Sequence, residues 1–174
     1  VETFPNFIKN LDIDTQDGVL KIFEDREVEG QNFYSVTVYS PHYPSKLTIS
    51  DSIEFNVSGE LKANNLKINI KAKFIGAINS EKADIQMEKG ALANFKGFTK
   101  NATLSIKDSS NIIAPYWMLN VLNIHSKNGA YSEMNVKDSI KGEIKDQSKF
   151  IYYGNPVSAF KIDKDTKVHQ ETLN

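Results

Sequence analysis

The stretch Ala83-Asp84-Ile85-Gln86-Met87-Glu88 returns nineteen residues later as Ala102-Thr103-Leu104-Ser105-Ile106-Lys107, with the same order of small, polar, apolar, polar, apolar and charged positions. Outward from it, the apolar pair recurs at Ile68/Ile70, Leu122/Ile124 and Gly142/Ile144, the last with one large member. Second members of the five pairs are separated by 17, 19, 18 and 20 residues, which makes this an internal repeat. A period of about 18 residues is too short for the helical units of the common solenoids and suits one coil of a β-solenoid. The expected fold is therefore all-β, a parallel β-helix with coils of about 17–20 residues and a strand-rich N-terminal cap.

Stacking the pairs gives positions of shared chemistry. Between the two apolar members lie Asn69, Gln86, Ser105, Asn123 and Glu143, polar in every copy, as an outward strand position should be. Two residues before each pair come Leu66, Ala83, Ala102, Asn120 and Ile140, mostly apolar and so mostly inward. The residues that follow are Lys71, Glu88, Lys107, His125 and Lys145. In register these stand about 4.8 Å apart on the outer face, with Glu88 between two lysines. A second apolar cluster, Ile75, Leu92, Ile112, Ala130 and Phe150, is expected to give each coil another inward side. Every coil runs the same way round, so pairing between coils is parallel.

Upstream, Asp17-Gly18 ahead of Val19–Phe23 is a hairpin signal, and residues 33–39 alternate like a strand. Pro41 and Pro44 bracket a loop before Leu47/Ile49 and Ile53/Phe55/Val57 resume the alternation. The chain reads as a single β-helix domain, with 1–50 as cap or first coils, 51–157 as regular coils and 158–174 as closing segment and tail. Tyr116–Leu122 could begin a helix after Pro115, but its end falls on a repeat position and a strand is expected. The last few residues of the polar tail are expected to fray.

A chain of 174 residues buries roughly 70% of its unfolded surface and needs no disulfide or metal to hold it together. The absence of cysteine removes thiol catalysis and cysteine metal sites, without deciding the redox compartment. A formal charge of −1 supplies no general field for nucleic acid or an anionic membrane, and neither is an expected partner. No apolar stretch approaches the roughly 20 residues of a membrane span. The start Val1-Glu2-Thr3-Phe4 is not a signal peptide, although one already removed would leave the same beginning.

Two groups of residues resemble a known bacterial family, the putative auto-transporter adhesin, head GIN domain family, long catalogued as a domain of unknown function. Ser139-Ile140-Lys141-Gly142-Glu143-Ile144 followed by Tyr152-Tyr153-Gly154-Asn155-Pro156-Val157 is similar to its closing coil. Leu11–Asp14 with Asp17–Ile22 resembles its opening, and Val36–Pro41 with Leu47–Ile49 and Val57–Gly59 its first coils. The family's Ser-Gly turns are largely replaced by Lys107-Asp108-Ser109-Ser110-Asn111 and Lys145-Asp146-Gln147-Ser148-Lys149. Asp and Asn are the residues that best tolerate positive φ after glycine. The resemblance implies a right-handed parallel β-helix exported to the periplasm, outer-membrane surface or cell exterior.

Candidate sites are few. Asp108 and Asp146 fall two coils apart in one repeat column, with Ser126 between them. The implied separation of roughly 9–10 Å is near that of an inverting glycosidase pair, but both lie in Lys-Asp turns, where Asp bonds its own backbone. Asp12 and Asp14 share one side of a strand and read as solvated. His42, His125 and His169 show no metal-ligand spacing, and neither a cofactor nor a metal is expected. Asn56-Val57-Ser58 and Asn101-Ala102-Thr103 match a glycosylation triplet that arises often by chance.

Tyr116, Trp117, Tyr152 and Tyr153 are the candidate binding residues, since aromatic faces stack on sugars and enrich interfaces, with alternation sending one of each pair inward. The sequence thus points to a non-enzymatic surface module presenting a repetitive face to a glycan or protein. A carbohydrate-active enzyme and a structural spacer that forms a homo-oligomer are the alternatives.

Overall fold

The computed structural model describes residues 1–25 and 33–173. Its contacts divide the chain into two compact units, Val1–Pro41 and His42–Asn174.

In the first unit, β2 (Leu11–Gln16) and β3 (Val19–Glu24) form an antiparallel hairpin in which Gln16 faces Val19. Asp17 and Gly18 turn it with φ of 51° and 75°, the left-handed pair that matches strand twist in a tight hairpin. A short antiparallel pair joins β1 (Glu2–Thr3) to β4 (Tyr34–Ser35). Phe7 is buried edge-on against Phe4 and Tyr34. The strand expected over 33–39 is confined to Tyr34–Ser35, since β1 offers two residues to pair with. All described pairing in this unit is antiparallel, unlike that of a solenoid coil.

The second unit is a β-solenoid of about seven turns. Its strands are β5 (Lys46–Ile49), β6 (Glu54–Ile70), β7 (Lys73–Met87), β8 (Leu92–Ile106), β9 (Asn111–Ser126), β10 (Tyr131–Ile144), β11 (Lys149–Tyr153), β12 (Val157–Ile162) and β13 (Lys167–Glu171). Each pairs in parallel with the coil before it; the order is β13-β11-β10-β9-β8-β7-β6-β5, and β12 also lies on β10. Within a coil the inward period of two changes phase at a corner where two exposed residues follow one another, as at Glu81-Lys82 and Lys100-Asn101. One continuous strand thereby lines two sides of the core. Tyr116–Leu122 is strand, as the repeat required, and the tail adds β13 beyond the last regular coil.

Registration corrects the fourth copy of the repeat. Ile70 pairs with Met87, Met87 with Ile106, Ile106 with Ser126, and Ser126 with Ile144, so the equivalent pair is Ile124/Ser126 and not Leu122/Ile124. Leu122 instead joins Leu66, Ala83, Ala102 and Ile140, which makes that inward column wholly apolar. A hydroxyl in a core position hid the frame: Ser126 is buried and, among the described residues, its Oγ has no hydrogen-bond partner. The second inward column is likewise Phe74, Ala93, Ile112, Ser132 and Phe150, while Ile75 and Leu92 point outward.

Coils turn through pairs of left-handed residues: Lys89-Gly90, Asp108-Ser109, Asn128-Gly129 and Asp146-Gln147. Ala91, Ser110 and Ser148 close three of these turns by donating to the carbonyls of Glu88, Lys107 and Lys145. The turns also bond to one another, Gly90 N to Asp108 O, Ser109 N to Asn128 O and Gly129 N to Asp146 O. Inside, Phe55, Phe74, Phe95 and Trp117 form a ladder with successive ring centroids 5.8, 4.8 and 5.1 Å apart.

Candidate binding groove

The inward column Ile70, Met87, Ile106, Ser126 and Ile144 is flanked on both sides by outward residues. Upstream lie Asn69, Gln86, Ser105, His125, Glu143 and Lys161, joined through register. Downstream are Lys71, Glu88, Lys107, Lys127 and Lys145, which open the turns. His125 thus belongs to the upstream column, and Lys127 takes the place the sequence alone had given to it. Between the columns runs a groove of about 600 Å³, lined from Thr48 to Lys145 and crossing the coils along the stacking direction. At about 4.8 Å per coil, the four steps from Lys71 to Lys145 span about 19 Å.

Glu88 lies between lysines as expected: Lys71 Nζ is 2.8 Å from Oε1 and Lys107 Nζ is 2.8 Å from Oε2. Hydrogen bonds from Lys107 and then Lys71 hold its carboxyl at about 2, well below the usual carboxylate range. The same contact raises the Lys107 ammonium. Lys145 Nζ reaches Glu143 Oε2 at 3.3 Å. Among the described residues Lys127 makes no ion pair, and its side chain is exposed. A smaller depression of about 330 Å³ shares His125 and Glu143 with the groove and adds Lys141 and Lys161. Together the two carry six lysines against two glutamates, on a chain whose formal charge is −1.

The aromatic candidates separate. Trp117 is wholly buried, and its Nε1 donates to Thr99 Oγ1 at 3.0 Å, which lies 3.0 Å from Ser80 Oγ. Tyr153 is buried, and its hydroxyl donates to Glu133 Oε1 at 2.6 Å while Tyr131 donates to Oε2 at 3.0 Å. Tyr152 is half-buried against Phe150 and Phe160. Tyr116, at 67% exposure, is the one of the four that stands out into solvent.

Asp108 and Asp146 do occupy one turn column, but the residue between them is Asn128, not Ser126. Asn128 Nδ2 donates to Asp108 Oδ1 at 2.9 Å, and the backbone N–H of Asp146 donates to Asp163 Oδ2 at 2.7 Å. Neither aspartate lines the groove. The three histidines lie apart, in the 40–45 loop, on the groove wall and on β13, and among the described residues no metal-holding group of His, Asp and Glu is present. No described helix is long and apolar enough to cross a membrane.

The sequence missed Lys127 and the groove because it ran the fourth copy two residues early; aligning Asn128-Gly129 with Lys89-Gly90 finds the frame.

A family model described as "Putative auto-transporter adhesin, head GIN domain" matches residues 1–156. Crystal structures of putative adhesins share the fold. That from Bacteroides fragilis NCTC 9343 is 18% identical with a TM-score of 0.87, over 95% of this chain and 78% of its own. That from Parabacteroides merdae ATCC 43184 is 15% identical with a TM-score of 0.73, over 97% and 81%. That from Parabacteroides distasonis ATCC 8503 is 16% identical with a TM-score of 0.69, over 97% and 82%. Among curated proteins none matches the chain.

Proposed function

The chain belongs to the putative auto-transporter adhesin, head GIN domain family, and from that membership we propose that it is an exported, non-enzymatic recognition module that displays a repetitive face to a macromolecular partner at the cell surface. The observation that carries the reading is the groove, whose two outward columns repeat over five coils in fixed register. A rigid scaffold holds these groups at constant spacing, so contacts that are individually weak act together without an ordering cost at each. Tyr116 is the aromatic residue placed to add an exposed contact outside the groove.

The test is binding of the purified protein to arrays of glycans and matrix proteins, followed by incubation of every hit with the protein and analysis of the ligand for cleavage. Saturable binding without cleavage supports the reading. Cleavage of a bound glycan replaces it with an enzyme.

A structural role is the second reading, favoured by β12. Among the described residues this strand pairs only with β10, and it leaves Val157 and Ile162 at 78% and 57% exposure, an edge suited to a strand of another copy. Concentration-dependent sedimentation that Val157→Lys abolishes supports it; a monomer at all concentrations removes it.

A further inference from the structure

We infer that the groove takes a linear acidic polysaccharide lying along the stacking direction, with about one sugar residue per coil. The inference rests on the recognition-module reading and adds the ligand class.

Spacing is the first argument. Coils repeat at about 4.8 Å, close to the length of one pyranose unit in an extended chain, so successive sugars meet successive members of the two columns.

Charge is the second. Lys127, Lys141 and Lys161 are exposed on this surface and, among the described residues, form no ion pair. They are free to meet carboxylates or sulfates, whereas Lys71 and Lys107 are held by Glu88.

The remaining wall chemistry narrows the choice. Asn69, Gln86 and Ser105 donate and accept, and Glu143 accepts, which suits hydroxyl groups. A nucleic-acid backbone offers few hydroxyl donors to Glu143, and among the described residues no Phe, Tyr or Trp lines the groove as a platform for stacking bases. A protein partner would need an apolar anchor, but Ile70, Met87 and Ile106 on the floor are at most 1% exposed.

The test measures binding of the intact chain to polygalacturonate, chondroitin sulfate, neutral dextran and duplex DNA at low and high salt. Lys127→Ala and the triple variant Lys127→Ala/Lys141→Ala/Lys161→Ala are run alongside, with circular dichroism reporting the fold. All three substitutions are at exposed positions. The expected result is salt-sensitive binding of one or both acidic polysaccharides and none of dextran. Lys127→Ala should weaken binding about two- to fivefold and the triple variant about tenfold or more. Preference for polygalacturonate identifies carboxylates as the recognised group, and preference for chondroitin sulfate identifies sulfates.

Equal binding of dextran, tighter binding of DNA, or a folded triple variant with unchanged affinity overturns the proposal. So does silence toward all four polymers. A parallel assay on matrix proteins and whole cells separates the two levels: binding there with silence toward acidic glycans sinks the ligand class alone, and silence there too sinks the recognition reading with it.

Discussion

The indole Nε1 of Trp117 donates to the hydroxyl of Thr99 at 3.0 Å, tying the end of the internal aromatic ladder to the preceding coil. The residue that reads in sequence as a sugar-stacking surface is thus the largest wholly buried side chain. Trp117→Ala is expected to lower stability by about 3–5 kcal/mol, and Thr99→Val, which orphans the indole N–H, by about 1–3 kcal/mol. Tyr116→Ala, at an exposed neighbour, should stay within about 0.5 kcal/mol of the wild type. Urea denaturation of the three variants decides it; a stable Trp117→Ala would contradict the packing described.

Glu88 gives the solenoid an acid-side dependence. Its carboxyl titrates at about 2 against an ordinary 4.5. A carboxylate lowered on folding contributes stability that is present above the unfolded pKa and is lost as pH falls through the folded one. The melting temperature of wild type should therefore fall more steeply than that of Glu88→Gln between about pH 4.5 and pH 2, the two converging at the lower end. Parallel curves would mean that the Lys71–Glu88–Lys107 column contributes nothing.

Tyr131 and Tyr153 are both raised to about 12 and share Glu133, yet for different leading reasons: burial for Tyr131, the hydrogen bond to Glu133 for Tyr153. Glu133→Gln should accordingly bring the Tyr153 titration down further than that of Tyr131, read as ring shifts in a pH series. Since a raised phenol favours the folded state below its unfolded pKa, the associated stability is present below about pH 10 and is lost toward pH 12. Equal downward shifts would show that burial is not the leading cause at Tyr131.

Ser126 stands where other coils place Ile70, Met87, Ile106 and Ile144, with its hydroxyl buried and, among the described residues, unpartnered. Removing the oxygen relieves that group without enlarging any side chain. Ser126→Ala should raise stability by about 1 kcal/mol, measured by urea denaturation; a loss would reveal a partner for the hydroxyl.

The solenoid was legible because its inward columns are apolar on a fixed period, and wherever that held, at Ile68/Ile70, Ile85/Met87 and Leu104/Ile106, the register followed. It failed at Ser126, where a polar residue occupies a core position and the apolar pattern no longer marks the frame. The groove was only partly legible. The Glu88 column was readable from spacing, but the vacant lysine at 127 depends on a frame that the turn residues carry and the apolar ones do not. At the aromatic dipeptides alternation says that one of two neighbours is inward but not which, and at Tyr116-Trp117 the larger ring is the core residue.

Glycine and its substitutes divide two kinds of backbone demand, which mutation can tell apart. Gly142 has φ of 138°, and a Cβ there would collide with the carbonyl oxygen of Ile124 on the preceding coil, so both conformation and space exclude a side chain. Gly142→Ala is expected to destabilise by about 1–3 kcal/mol. At Ser109 and Gln147, by contrast, φ values of 56° and 62° are left-handed positions already occupied by side chains. The strain of roughly 1–2 kcal/mol that such a residue carries is partly offset by the greater chain entropy glycine would lose, about 0.5–1 kcal/mol. Ser109→Gly and Gln147→Gly should each therefore stabilise by about 0.5–1 kcal/mol, additively because they sit two coils apart. Thermal and urea denaturation of the two single variants and the double variant test this. Destabilisation by either glycine would mean that the Asp-Ser and Asp-Gln turns are held by side-chain contacts and not merely tolerated by the backbone.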